Sequence, residues 1–217
     1  ASGLTGVWAE ENTRENIYDA FRRKETFATS GPRIKVRFFS GYNFEDSKIN
    51  DLELIQKAYA NNLSMGSTIN IEEGRSPKFL VWAIADSMGA PLQRIQIIKG
   101  WLENGEHREK VYDVACSDGL VVNSSTFRCP DNGAKVDIEN CSISESLGAS
   151  ELKTFWVDPD FLKNQRAFYY ARVLENPVCR WSTWDSIREG VKPRSDIPTT
   201  IQERAWTSPI WFEPTNS

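Results

Sequence analysis

Gln93-Arg-Ile-Gln-Ile-Ile-Lys-Gly-Trp-Leu-Glu-Asn-Gly-Glu-His-Arg-Glu-Lys-Val-Tyr-Asp-Val-Ala-Cys116 decides the fold class. Two runs rich in β-branched and aromatic residues flank Asn104-Gly105, a dipeptide suited to a two-residue turn, so the stretch predicts a β-hairpin. Upstream, Ile34, Val36 and Phe38 alternate with Arg33, Lys35 and Arg37, the period of a half-buried strand. Further strands are expected around 68–72, 78–85, 94–100, 110–116, 152–157, 166–174 and 205–212. Turn-rich pieces such as Asp86-Ser-Met-Gly-Ala-Pro91 and Asp158-Pro-Asp160 separate them.

Residues 117–150 carry no sustained periodicity and are expected as one long irregular loop insertion. Eight or so strands around such a loop describe a mainly β fold, an antiparallel Ig-like or Greek-key β-sandwich. One N-terminal α-helix should precede it. Asn12-Thr-Arg-Glu15 has capping-box spacing, which places the cap at Asn12. Ile17, Ala20 and Phe21 then make one apolar stripe, and Arg22, Arg23 and Lys24 complement the last carbonyls. Gly31-Pro32 stops any continuation, so the helix is expected over about 13–24. A second short helix is expected within 50–61, with Leu52, Ile55 and Tyr59 on one face.

The 217 residues include 26 bases and 30 acids, intermixed to a net charge of −4. Without a basic stripe a nucleic-acid partner is not expected. No apolar run approaches the roughly 20 residues that span a bilayer. Cys116, Cys129, Cys141 and Cys179 lack zinc-site spacing and have no histidine nearby, so two disulfides in an oxidising compartment are expected. Cys129 with Cys141 would close a loop, and Cys116 with Cys179 would tie two strand ends; the sequence allows three pairings.

Little in the chain carries chemistry. His107 is the single histidine and lies in the charged run Glu106-His-Arg-Glu109, where it reads as a solvated hairpin residue. A hydrolytic metal centre, a serine triad and a cysteine–histidine pair all need more than it supplies. Asp131-Asn-Gly-Ala-Lys-Val-Asp137 lacks the ligand ladder and closing Glu of a calcium loop and reads as a turn. Asp158-Pro-Asp160 reads as a turn whose carboxylates have the chemistry to hold an ion. Trp181, Trp184, Trp206 and Trp211 lie in apolar-patterned segments and read as core or seam fillers; the other reading is a glycan-stacking platform. Glu10-Glu-Asn-Thr-Arg14 stands at a helix entrance, where Arg14 is placed to clamp an anion, although plain capping accounts for the same residues.

Two stretches, Gly6-Val-Trp-Ala-Glu-Glu-Asn-Thr-Arg14 and Phe27-Ala-Thr-Ser-Gly-Pro-Arg-Ile34, carry a family resemblance. So do Leu92–Trp101, Lys110–Asp118, Arg166–Glu175 and Glu203–Trp211. Together they resemble a bacterial family of proteins of unknown function (family thirty-six-zero-four) related to the PHP superfamily, the polymerase and histidinol phosphatase metal-dependent hydrolases. Relatives carry a catalytic barrel whose His-x-His and Asp-x-His ligands precede this region, and none of those motifs occurs here.

The resemblance implies that residues 1–32 are the closing segment of such a barrel, and that 33–217 form the C-terminal sandwich. The start at Ala1 without an initiator methionine, with Met65 the first methionine, reads the same way. The function implied is a non-catalytic accessory domain of a PHP-like, phosphoesterase-like hydrolase, bracing the barrel and shaping substrate access. A secreted carbohydrate-binding module is the alternative. No metal or catalytic residue is assigned to this chain, and a divalent metal is expected in the preceding barrel, which is also the expected partner. By the same resemblance, Glu11, Asn12, Arg14, Thr29, Ser30 and Arg33 are the residues expected to face the barrel rim. A periplasmic or extracellular location is implied. Self-association through the Ile17/Phe21 face is expected where that face is uncovered.

Overall fold

The computed structural model describes residues 3–44 and 48–215. In chain order the first elements are β1 (Leu4–Val7), α1 (Arg14–Arg22), β2 (Thr26–Thr29), β3 (Lys35–Gly41), α2 (Leu54–Asn61), β4 (Leu63–Ser64), β5 (Thr68–Asn70) and β6 (Lys78–Ile84). Then come β7 (Leu92–Glu103), β8 (Glu106–Cys116), β9 (Glu151–Val157), β10 (Ala167–Glu175), β11 (Val178–Cys179), α3 (Trp181–Arg188), β12 (Thr200–Ile201), β13 (Arg204–Thr207) and β14 (Ile210–Glu213).

β7 and β8 form the expected hairpin, in register from Glu103↔Glu106 to Arg94↔Cys116. Asn104 (φ 54°) and Gly105 (φ 83°) make its turn, and both occupy the left-handed region that Asn and Gly tolerate best. The other edge of β7 pairs along almost the whole of β10, from Trp101↔Ala167 to Leu92↔Glu175. Gly100 permits this contact, since a Cβ there would lie 2.3 Å from the Phe168 ring.

The far edge of β10 is shared. β13 takes Arg172–Leu174 and β14 takes Ala167–Tyr169. The stretch expected as one strand over 205–212 is therefore two, separated at Ser208-Pro209, where proline has no N–H to continue the ladder. β13 passes on to β2 and then β1, all antiparallel, while β14 pairs with β5 in parallel. The smaller sheet has the order β4-β3-β6-β9.

The two sheets meet over one core, to which the smaller contributes Val36, Phe38, Phe79, Val81 and Ala83. The larger contributes Ile95, Ile97, Tyr169, Ala171, Val173, Ala205 and Phe212. Phe79 packs against Tyr169 at 4.7 Å and Phe212 at 5.7 Å between ring centroids. Burying each such large side chain contributes about 1.5–3 kcal/mol. The chain is thus a mainly β sandwich, as its alternation predicts. A second apolar layer lies behind the smaller sheet, where Phe39 and Leu80 meet Phe44, Leu54 and Ala58.

Three local expectations change. Thr13, not Asn12, caps α1, and its Oγ1 accepts the Asn16 N–H at 3.3 Å, so the helix starts one residue later. α2 buries Leu54 and Ala58 rather than the Leu52/Ile55/Tyr59 face, because Leu52 precedes the helix and is fully exposed. Trp181 and Trp184 lie on α3, a third helix that the apolar pattern around them does not predict.

The segment resembling the end of a barrel is tied into the sandwich. β2 is hydrogen-bonded to β13, and Thr26 Oγ1 lies 2.9 Å from Ser208 Oγ. Trp8 Nε1 donates to Val36 O at 2.8 Å, while the Arg37 guanidinium stacks 3.6 Å from the Trp8 ring centre. Arg37 also donates to Tyr59 Oη at 2.6 Å, and Tyr59 in turn donates to Glu25, which accepts Ser64 Oγ as well. Burial, reinforced by Glu25, pushes the Tyr59 phenol up to about 12.

Candidate functional site

The cysteines pair as Cys116–Cys129 and Cys141–Cys179, with Cα separations of 5.7 and 5.6 Å. This corrects the pairing of Cys129 with Cys141 and Cys116 with Cys179. The cause is Asp113 on β8: its Oδ2 accepts the Cys129 N–H at 2.8 Å, which brings Cys129 back to the end of the strand that carries Cys116. Cys141 is then left for Cys179. Two disulfides fit an oxidising environment. No helix is long and apolar enough to cross a membrane among the described residues.

These crosslinks fix both walls of a cleft of about 710 Å³. It is lined by Gln93, Arg94, Cys129, Asp131, Ala134 and Pro177, then by Arg180, Pro198, Thr200, Ile201, Gln202 and Arg204. One wall is the 129–134 stretch, held by Cys116–Cys129 and by Asn132. The Asn132 Nδ2 lies 2.9 Å from Asn176 Oδ1 and 3.0 Å from Asp118 Oδ2, and its Oδ1 accepts from Gln93 Nε2 at 3.0 Å. Burial alone would raise the Asp118 carboxyl, but hydrogen bonds from Ser117, Asn132 and Gly148 outweigh it and hold it below the ordinary range. The opposite wall is β11 paired with β12, pinned by Cys141–Cys179.

The cleft's charge is arginine. Arg94 Nε is buried without a hydrogen bond and lies 3.9 Å from Asp113 Oδ2. Asp113 is already engaged by Gln96 Nε2 at 2.6 Å, Arg128 at 3.4 Å and the Cys129 N–H. Arg204 Nε donates to Gln202 O at 3.1 Å, and its guanidinium lies 6.0 Å from the Trp206 ring centre. The sequence gives no warning of this site, because its residues come from four separate segments and no spacing rule connects them.

Of the residues expected at a barrel rim, Thr29, Ser30 and Arg33 gather near one end of β13. Thr29 pairs with Ala205, Ser30 Oγ accepts the Arg204 N–H at 2.9 Å, and the Arg33 N–H donates to Asp86 Oδ2 at 2.7 Å. Glu11, Asn12 and Arg14 are exposed at the start of α1. β1 and β2 separate the two groups, since α1 joins the Val7/Thr26 end of their ladder and Thr29 closes the other. The structure does not bring all six together.

Beside the Arg33–Asp86 contact lies a buried acid. Glu175 is 1% exposed and its Oε1 has no hydrogen-bond partner; Glu203 Oε2 is likewise unpartnered. Burial pushes the Glu175 carboxyl from 4.5 to about 7; the Ala90 N–H opposes this, while Glu203 and Asp86 add to it. The raised value makes the folded state the stronger proton binder. The associated stability is present below pH 4.5 and is lost as pH rises through about 7. Glu175→Gln is therefore expected to flatten the fall in melting temperature between about pH 5 and 8, recovering roughly 3 kcal/mol at the alkaline end. An unchanged slope in the variant would show that another group carries it.

The remaining candidates resolve into structure. Asp131 Oδ1 accepts the Gly133 N–H and Asp137 Oδ1 the Glu139 N–H, as in ordinary turns. His107 is exposed on β8 opposite Leu102. Trp181, Trp184 and Trp211 are exposed by 68%, 41% and 37%, so they are not simple core fillers. They do not share one platform, however. Trp211 packs at a tilt against Phe168 at the start of β10, at the rim of an apolar cavity of about 450 Å³, whereas α3 follows the opposite end of that strand. Among the described residues no three His, Cys, Asp or Glu converge to hold a metal ion.

No curated protein and no solved structure matches this chain. The family described as Protein of unknown function (DUF3604) matches residues 1–214. With nearly its whole length matched, the chain belongs to the DUF3604 family.

Proposed function

We propose that the chain is the non-catalytic C-terminal accessory domain of a PHP-like metal-dependent hydrolase, bracing the catalytic barrel and shaping access to it. One observation carries this reading. The segment that resembles a barrel's final helix is locked to the sandwich through the β2–β13 ladder, the Trp8–Arg37 stack and the Glu25–Tyr59 contact. A barrel continuing from β1 is thereby held in one orientation.

The exposed side of α1 fits such a partner. Arg14, Tyr18 and Phe21 recur at helical spacing, and Tyr18 and Phe21 are 61% and 50% exposed. The Ile17/Phe21 face, with Phe21 exposed and Ile17 half-buried, supports self-association of the chain when no barrel covers it. The metal of a PHP-like parent finds no ligand set among the described residues, so no reaction step is assigned to them. The two disulfides support a periplasmic or extracellular setting.

The test is turnover. The 217-residue chain, supplied with manganese or zinc, is expected to hydrolyse none of a panel of phosphomonoesters and phosphodiesters. Robust hydrolysis that disappears on mutating this chain's own residues would overturn the accessory reading.

A further inference from the structure

We propose that the arginine-lined cleft between the 129–134 and 177–201 walls is a binding site for a tetrahedral oxyanion, the phosphate or sulfate group of a larger ligand. The lining presents three guanidiniums, Arg94, Arg180 and Arg204, against the single carboxylate of Asp131. That carboxylate already accepts the Gly133 N–H. Arg180 is half-buried, and its guanidinium has no hydrogen-bond or ion-pair partner among the described residues. Arg94 leaves a buried N–H without a hydrogen-bond acceptor, and its ion-pair partner Asp113, 3.9 Å away, is shared with Gln96, Arg128 and the Cys129 N–H. Buried donors are normally paired, so an orphan beside a cavity marks the place where an acceptor completes the structure. In a chain of net charge −4 this local excess of arginine over carboxylate at the cleft lining stands out.

Shape and rigidity point the same way. Arginine forks match tetrahedral oxyanions through paired N–H donors. The cleft, at about 710 Å³, is far larger than a bare ion and falls within the roughly 300–1,000 Å³ typical of organic ligands. Pro177, Pro198 and Ile201 supply apolar surface for the remainder of such a ligand. Because two disulfides and Asn132 fix the walls, little ordering cost remains at binding. The site is built from this chain's own residues and does not depend on the proposed parent.

Calorimetric titration of the 217-residue chain with sodium sulfate and with sodium phosphate, at ionic strength held constant with chloride, tests the proposal. Saturable binding at one site is expected. Arg180→Ala should weaken it about tenfold or more, and Arg180→Lys less. Arg166→Ala, an arginine paired with Glu213 away from the cleft, should leave it unchanged. Phosphate affinity should fall between about pH 7.5 and 5.5, across its second ionisation near 6, while sulfate affinity holds. The tighter ion at the higher pH identifies whether a phosphorylated or a sulfated ligand is the better fit. Should Arg180→Ala fail to fold, protection of Arg180 and Arg204 from phenylglyoxal by sulfate in the unmodified chain gives the same answer. Absence of saturable binding, equal binding by a folded Arg180→Ala variant, or no protection would overturn the site.

Discussion

Replacing Asp158 with alanine is expected to destabilise the folded chain by about 3–5 kcal/mol. The Asp158 and Lys99 side chains are 0% and 2% exposed, and Lys99 Nζ donates to Asp158 Oδ2 at 2.8 Å. Lys99 also reaches Asp160 O at 2.7 Å, and Tyr169 Oη donates to the same Asp158 oxygen at 2.7 Å. Alanine would leave a buried ammonium with only a carbonyl acceptor and an interior phenol with none. Burial, followed by the charge of Asp158, raises the Tyr169 phenol well above its ordinary range, so it stays protonated as a donor.

The pair matters because it ties the 158–160 turn to three strands. Asp160 accepts Tyr112 Oη at 2.6 Å and pairs with Lys110, both on β8. Lys110 chiefly, with Tyr112, holds the Asp160 carboxyl below the ordinary range. The carboxylates of this turn therefore do hold cations, and those cations are lysines of the same chain. A double substitution, Lys99→Met with Asp158→Leu, should recover most of the loss, since an apolar pair replaces a buried ion pair at little cost. The Tyr169 hydroxyl, left without its acceptor, limits the recovery. Urea unfolding of the unmodified chain, Asp158→Ala and the double variant measures this directly. A cost below about 1 kcal/mol for Asp158→Ala would mean that the pair is hydrated and not buried.

The features that the sequence revealed were local ones. Asn104-Gly105 names its own turn, and alternation through Ile34, Val36 and Phe38 selects an inward face, because both signals depend only on near neighbours. Prediction failed where the deciding partner is distant in sequence. Thr26-Phe-Ala-Thr29 is too short and polar to read as a strand; it becomes one because β13 offers it an edge. The 205–212 run looks continuous until β10 takes its two halves separately. Leu52 has the spacing for a helical face but stands before the helix begins. The cleft was the least legible part. Arg94, Arg180 and Arg204 are unremarkable singly and acquire meaning only when the 129–134 and 177–201 walls enclose them. Cysteine spacing indicated crosslinks, while their partners depended on a hydrogen bond from Cys129 to Asp113.

Cys141→Ser with Cys179→Ser is expected to cost about 4 kcal/mol, and Cys116→Ser with Cys129→Ser about 3 kcal/mol. The difference follows from the chain that each bond closes, 38 residues in one case and 13 in the other, because a longer loop loses more unfolded-state entropy when crosslinked. Mass measurement before and after full reduction should first show a gain of four hydrogens, which places all four sulfurs in bonds. Guanidinium unfolding of the two double variants then ranks the crosslinks. The variants should also differ in what they release. Loss of Cys141–Cys179 frees the β11 wall of the cleft, where β11 and β12 share only two residue pairs, so oxyanion affinity should fall together with stability. Loss of Cys116–Cys129 leaves its wall still anchored by Asn132 and by the Asp113–Cys129 backbone contact, so affinity should survive better than stability. A larger stability loss from the shorter loop would show that native strain or unfolded-state structure, not loop entropy, sets the ranking. Equal losses of affinity would show that Asn132 does not hold its wall alone.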